Sequence, residues 1–195
     1  MAMKLFLDSS TAYLILGLVD DNNKIISFSR EGKNDHSETL IDYLKSFLTD
    51  NNYQINDITD IFIGRGPGSY TGLRISGVVG KVLAYLKNIN LYSFSSLDFI
   101  GCSFKGHIIP LTDAKRDHSY YKVIDYFDEY QIIHDESFEE NKIIKDQYPD
   151  YDIYNIDDII NNNLINKSIE MILKEKLYRE ESNLDYNPNY IRSGI

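Results

Sequence analysis

Tryptophan is absent from this chain and cysteine nearly so: its 195 residues include one cysteine, Cys102, and only four prolines. A single thiol excludes an intrachain disulfide, so stability has to come from an apolar core, which a chain of this length is able to bury. The four histidines, His36, His107, His118 and His134, lack any spacing suited to joint metal binding, and no metal or other cofactor is expected. Positive charge is scarce. Twenty Lys and Arg stand against thirty Asp and Glu, and the net charge of −10 argues against an independent binder of nucleic acid or of an anionic membrane. Long apolar runs are missing too: the start, MAMKLFLD, meets Asp8 too soon for a signal-peptide core, so the chain is expected to be cytoplasmic and free of membrane partners. No G-x-G-x-x-G, no phosphate-loop Gly-Lys-Ser/Thr and no Gly-x-Ser-x-Gly elbow occurs, which removes the ordinary dinucleotide, nucleotide and serine-hydrolase readings.

Strand and helix patterns are there in alternation. Lys4 to Leu7, Tyr13 to Val19 and Lys24 to Ser29 read as a three-stranded meander. Leu40, Ile41, Leu44, Phe47 and Leu48 recur at helical spacing from His36 to Leu48, with Asp35 or Ser37 placed to cap the start. A strand from Ile58 to Ile63, a helix from about Thr71 to Leu86 and a strand near Leu91 to Phe94 follow. A second set starts near Gly106: strands at His107 to Leu111, Tyr120 to Tyr126 and Glu129 to His134, helices around Phe138 to Lys145 and Leu164 to Tyr178, and an extended tail at Pro188 to Arg192. This predicts a mixed α/β chain with residues 1–103 as one unit and 104–195 as a smaller second one.

The most informative run is GRGPGSYTGLR, in which Gly64, Gly66, Gly68 and Gly72 surround Pro67, with Arg65, Thr71 and Arg74 between and after them. Glycines at this spacing let the backbone turn tightly between a strand and a helix, which suits an anion or close protein packing. In the helix that follows, Gly72, Ser76, Gly80 and Ala84 recur every fourth residue and line one narrow face. That face fits either packing on the chain's own sheet or close approach of a partner helix. Asp8 to Thr11 and Asp113 to Arg116 each follow a strand and lack the glycines of a nucleotide clamp, so both read as side-chain-capped turns.

Together with LDSST at Leu7 to Thr11, HSETL at His36 to Leu40, SSL at Ser95 to Leu97, TDAKR at Thr112 to Arg116 and NYIR at Asn189 to Arg192, the glycine run resembles the TsaB (YeaZ) family. The resemblance implies tandem actin-like, hsp70-like lobes (the ASKHA, ribonuclease H-like class), the second one shortened here. It also implies a non-catalytic role in making threonylcarbamoyladenosine in ANN-decoding tRNAs, with tRNA met only indirectly. Implied partners are the transferase paralogue TsaD, the ATPase TsaE in a ternary complex, and a second copy of the chain when alone.

The transferase itself carries a His-x-x-x-His metal pair after the corresponding strand, and that register places Ser96 and Ile100 there. Isoleucine has no donor atom, so the transferase reading falls. The resemblance implies partner contact through the two helices, at His36, Leu40, Tyr43 and Leu44 on the first and at Gly72, Leu73, Ser76, Gly80 and Ala84 on the second. The alternatives are a small-molecule kinase of the same fold, which requires two glycine-bearing phosphate loops, and a glycopeptidase-like enzyme, for which these residues supply neither metal nor nucleophile.

Overall fold

The computed structural model describes residues 2–32, 36–182 and 186–191, the side chains of residues 36 and 37 excepted. The first half runs β1 (Met3–Asp8), β2 (Tyr13–Val19), β3 (Ile25–Glu31), α1 (His36–Asp50), β4 (Ile58–Gly64), α2 (Tyr70–Lys87), β5 (Asn90–Phe94) and α3 (Ser96–Gly101). The second runs β6 (Gly106–Asp113), β7 (His118–Tyr126), β8 (Tyr130–Glu140), α4 (Asn141–Gln147), β9 (Asp152–Tyr154), α5 (Ile156–Asn161), α6 (Ile165–Lys174) and β10 (Tyr178–Glu181). One sheet has the order β10-β5-β4-β1-β2-β3 and the other β8-β7-β6-β9. The division at residue 103 remains a proposal; β10, late in the chain, pairs with β5 of the first sheet.

β1 and β4 lie side by side and parallel in the middle of the first sheet, with both faces covered. That is why LFLD and IFIG read as nearly unbroken apolar runs. Alternation along the strands then sorts the side chains. Leu5, Leu7, Leu14, Leu16, Leu18, Ile61 and Ile63 enter a core beneath α1 and α2. Phe6, Ile15, Val19 and Phe62 face the other way, into a core shared with Ile100, Ile169 and, from the second sheet, Ile108, Ile124 and Tyr126. This second core spans the joint between the sheets, and in it the Phe6 and Phe62 rings stack 4.6 Å apart. A third cluster, Ile109, Tyr121, Val123 and Ile144, lies on the outer face of the second sheet, which α4 covers.

Two polar links reinforce the joint. The Lys122 ammonium, only 2 % exposed, donates to Asp98 Oδ1 at 2.7 Å, and the Tyr130 hydroxyl donates to the same oxygen at 2.8 Å. Burial, then the Asp98 charge, pushes the Tyr130 hydroxyl well up from its ordinary value. Nearby, the Arg65 guanidinium holds both Glu136 oxygens, at 3.1 and 3.3 Å.

Several boundaries differ from expectation, each for a local reason. Phe138 to Glu140 continue β8 instead of opening a helix, and α4 starts only at Asn141, whose N–H donates to Asp117 O at 2.8 Å. The helix expected to reach Tyr178 ends at Lys174; Lys176 takes the left-handed region (φ 53°) and turns the chain into β10. The short elements α3, β9 and α5 had no periodic signal. The expected caps of α1, Asp35 and the Ser37 side chain, lie outside the described residues, as does Arg192 at the end of the expected tail.

Phe62→Ala is expected to lower the unfolding free energy by about 3–5 kcal/mol, the usual loss for a phenylalanine deleted from a core. Urea denaturation would measure it, and a loss below about 1 kcal/mol would contradict the shared core.

Candidate functional site

The glycine turn owes its composition to what lies beneath it. A Cβ at Gly72 would overlap the carbonyl oxygen of Ser9, one at Gly68 that of Ser10, and one at Gly64 the Asp8 carboxyl. Glycine here permits backbone to meet backbone, and only Gly66 (φ 87°) needs it for its dihedral angle. The contacts are polar and mutual. Ser69 N–H donates to Ser10 O at 2.6 Å, and Ser9 Oγ donates to Gly72 O at 2.8 Å. Ser69 Oγ accepts from Gly72 N–H at 3.3 Å and caps α2.

Ser96 completes the knot from the start of α3. Its hydroxyl donates to Asp8 Oδ2 at 2.8 Å, receives the Ser10 hydroxyl at 2.8 Å and receives Gly66 N–H at 3.2 Å. Ser10 N–H donates to Asp8 Oδ1 at 2.7 Å, closing the expected capped turn. Burial raises the Asp8 carboxyl above its ordinary value of 3.8, against the lowering pull of these hydrogen bonds. Ile100, one turn along α3, is wholly buried in the shared core. Neither residue fits a metal: the Ser96 oxygen is fully engaged and Ile100 has no donor. Among the described residues no three His, Cys, Asp or Glu side chains are grouped so as to hold an ion. The Cys102 thiol is buried and pushed well up by that burial, which leaves it unreactive.

The second expected turn, at Asp113 to Arg116, is also capped by its own carboxylate: Lys115 N–H donates to Asp113 Oδ1 at 2.9 Å. Lys115, Arg116 and Asp117 take positive φ in succession, a conformation without glycine that sequence reasoning did not foresee.

The residues expected to contact a partner are placed as follows. Gly72, Leu73, Ser76, Gly80 and Ala84 are buried in the chain itself, where the narrow face of α2 lets the helix sit close on β4 and β1. A Cβ at Gly80 would stand 2.6 Å from Ile63 Cγ2, and Ser76 turns its hydroxyl back to Gly72 O at 3.3 Å. Of the two readings of this stripe, packing on the sheet is the one observed. Leu40 and Leu44 belong to the same core, and Tyr43 stacks on Phe28 of β3 at 5.5 Å. The His36 side chain is outside the described residues. Within the glycine motif, Arg65 binds Glu136, Thr71 is exposed, and Arg74 sits over the Tyr70 ring.

What α2 presents outward is a different set of apolar residues. Val78 is 60 % exposed, Tyr85 70 % and Leu86 69 %, with Tyr70 and Val82 exposed on the same helix, and Ile41 is exposed on α1. A shallow groove lined by Tyr70, Thr71, Arg74, Ile75, Val78 and Val79 runs along the N-terminal half of this face. The sequence signal was present: Val78, Val82 and Leu86 recur every fourth residue, opposite the small-residue stripe.

The family model described as TsaD, tRNA N6-adenosine threonylcarbamoyltransferase, matches residues 30–179. Over 125 residues the chain is 32% identical to the tRNA threonylcarbamoyladenosine biosynthesis protein TsaB of Bacillus subtilis, covering 63% of this chain and 55% of that protein. With the Haemophilus influenzae protein of the same description it shares 22% over 125 residues, 62% of this chain and 52% of the relative. The chain thus spans about half the length of the curated relatives it matches. Among solved structures, one described as an uncharacterized protein with similarity to peptidase YEAZ from Pseudomonas aeruginosa superposes with a TM-score of 0.77 at 17% identity, over 98% of this chain and 100% of that one. YeaZ from Pseudomonas aeruginosa superposes with a TM-score of 0.63 at 22% identity, over 71% and 66%. The expected mixed α/β class, here with two sheets, is the fold these likenesses share. Among the described residues no helix is long and apolar enough to cross a membrane.

Because the folded Asp8 carboxyl binds its proton more tightly than the unfolded one, its stabilising contribution is complete below about pH 3.8 and is lost as pH rises through the raised folded value. Asp8→Asn should therefore gain stability relative to the wild type as pH rises from below 3.8 through the raised folded value; a difference in urea unfolding that stays constant as pH rises would contradict a buried Asp8 whose proton affinity is raised by folding. Gly80→Arg is expected to abolish the cooperative thermal transition by forcing α2 off Ile63, and a variant that melts like the wild type would contradict the packing of the stripe.

Proposed function

This chain belongs to the TsaD family of tRNA N6-adenosine threonylcarbamoyltransferases, in its TsaB (YeaZ) branch, and we propose that it acts there as a non-catalytic partner. In this reading it binds and supports a TsaD paralogue during formation of threonylcarbamoyladenosine in ANN-decoding tRNAs. TsaE joins the pair, a second copy of the chain takes the partner's place when none is present, and the work is done in the cytoplasm. The observation that carries the reading is the outward apolar face of α2: Val78, Val82, Tyr85 and Leu86 form a contiguous helical stripe that water does not favour. A partner helix laid along it would bury that stripe without disturbing the small-residue face, which is already used against the sheet.

Two further features support a binding role over a catalytic one. The turn at Asp8 to Thr11 lacks the glycines of a phosphate clamp, and its Asp8 and Ser10 are bonded to each other and to Ser96 instead. The net charge of −10 leaves the grip on RNA to another chain. The expected contact through α1 and α2 is kept, on their solvent faces instead of at Gly72, Ser76, Gly80 and Ala84.

Light scattering after size exclusion, on the chain alone and mixed with the TsaD paralogue of the same organism, tests this. A 1:1 species at micromolar concentration is expected, and Val78→Asp should abolish it with no change in melting temperature, since Val78 is exposed. Absence of a complex between two folded proteins would overturn the partner assignment.

A further inference from the structure

The segment 186–191 crosses the glycine turn and α2 and makes three contacts of different kinds. Tyr186 is 4 % exposed and packs against Gly77, where a Cβ would come within 2.7 Å of its ring, and its hydroxyl donates to Gly64 O at 3.4 Å. Asn189 bonds in two directions: its N–H donates to Arg65 O at 2.7 Å and its side-chain amide donates to Glu136. Glu136 belongs to β8 of the second sheet and also holds the Arg65 guanidinium. Tyr190 then leans on Tyr70, ring centroids 4.9 Å apart, at the end of the α2 groove, where Arg74 lies over the other ring at 5.3 Å and donates to its hydroxyl at 3.2 Å. Tyr190 is 42 % exposed. One short strap therefore ends on the outward face of α2 and is anchored, one residue earlier, on the ion pair that joins the two sheets.

We propose that Tyr190 is part of the docking surface for the partner chain and that Asn189 is a positioning residue, which sets Tyr190 against Tyr70 by tying the strap to Arg65 and Glu136. The inference rests on the reading of α2 as a partner-binding face and adds to it a component from the far end of the sequence. Aromatic side chains held at the rim of an apolar groove contribute area at low entropic cost, because two torsions suffice to fix them. The chemistry of Tyr70, Tyr190 and Arg74 fits a partner helix with apolar side chains along its ridge and a carboxylate opposite Arg74. Because Asn189 shares its acceptor with Arg65, loosening the strap also loosens the hold between β8 and the glycine turn.

Calorimetric titration of the TsaD paralogue into the wild type, Tyr190→Ala, Asn189→Asp, Asn189→Asp with Glu136→Gln, and Val78→Asp tests the inference. Tyr190→Ala is expected to weaken binding about tenfold, as loss of an interface aromatic does. Asn189→Asp places a carboxylate against Glu136 and should weaken binding to a similar extent; pairing it with Glu136→Gln should restore most of the affinity, which a merely local packing defect would not allow. If Val78→Asp abolishes binding while Tyr190→Ala and Asn189→Asp bind as the wild type does, the strap inference is overturned and the reading of α2 stands. If Val78→Asp binds unchanged, it is that reading which fails. Hydrogen exchange on the free chain tests the anchoring independently: Asn189→Asp should raise exchange both in the turn at Arg65 to Tyr70 and in β8 around Glu136, and a rise confined to the strap would overturn the positioning role.

Discussion

Everything in the first half of this molecule depends on a close approach of backbone to backbone, where the turn after β1 lies under the turn before α2. Ser9 and Ser10 press their carbonyls against Gly72 and Gly68, and no side chain of any size fits between. The approach buries Asp8, and a buried carboxyl must find partners or a proton. It has both: hydrogen bonds from Ser10 and Ser96, and a raised affinity for the proton. Because Ser96 opens α3, the same knot fixes where the chain departs toward the second sheet. The polar centre thus orients α2, α3 and the joint at once, in a region where apolar packing alone would allow several arrangements.

The two faces of α2 divide the labour between folding and the proposed binding role. Small residues on the inner face bring the helix down onto Ile61 and Ile63, and the resulting closeness stiffens the helix against the sheet. The outer face then serves as a rigid apolar ridge. Had the ridge been mobile, ordering it on contact would consume part of the binding free energy. The ion pairs at the joint play a comparable role on the other side. Removing Asp98 would leave the Lys122 ammonium, 2 % exposed, with the more distant Asp135 at 3.8 Å as its remaining acidic partner among the described residues, and breaking a buried pair in this way is strongly destabilising.

The meander, α1, β4 and α2 were legible in the sequence because each has an apolar run or a helical spacing with a marked boundary: the unbroken run of β2 before the polar turn at Asp20, the spacing of Leu40, Leu44 and Leu48 in α1, and the glycine turn between β4 and α2. Short elements were not. α3 is buried on every side, so its six residues show no amphipathic contrast, and β10 owes its existence to the edge offered by β5 more than to its own residues Tyr178 to Glu181. The small-residue stripe was legible as a feature but ambiguous in direction, since spacing alone does not say which neighbour a narrow face receives. The strap was least legible of all, because its partners, Gly64, Arg65, Tyr70, Gly77 and Glu136, lie between about 50 and 125 residues away along the chain.

The fit between Gly64 and Asp8 has a consequence for how such a sequence is able to drift. One position carries a carboxyl and the other nothing, and the volume they share is fixed by the parallel pairing of β1 with β4. Enlarging one demands shrinking the other in the same step, and Ser96 must lose or change its hydroxyl partner at the same time. Exchange at these positions therefore has no neutral single-substitution path, because each intermediate is either overfilled or leaves a polar group buried and unpaired. The glycine motif acts as a ratchet, because each neighbour is shaped to the space it leaves.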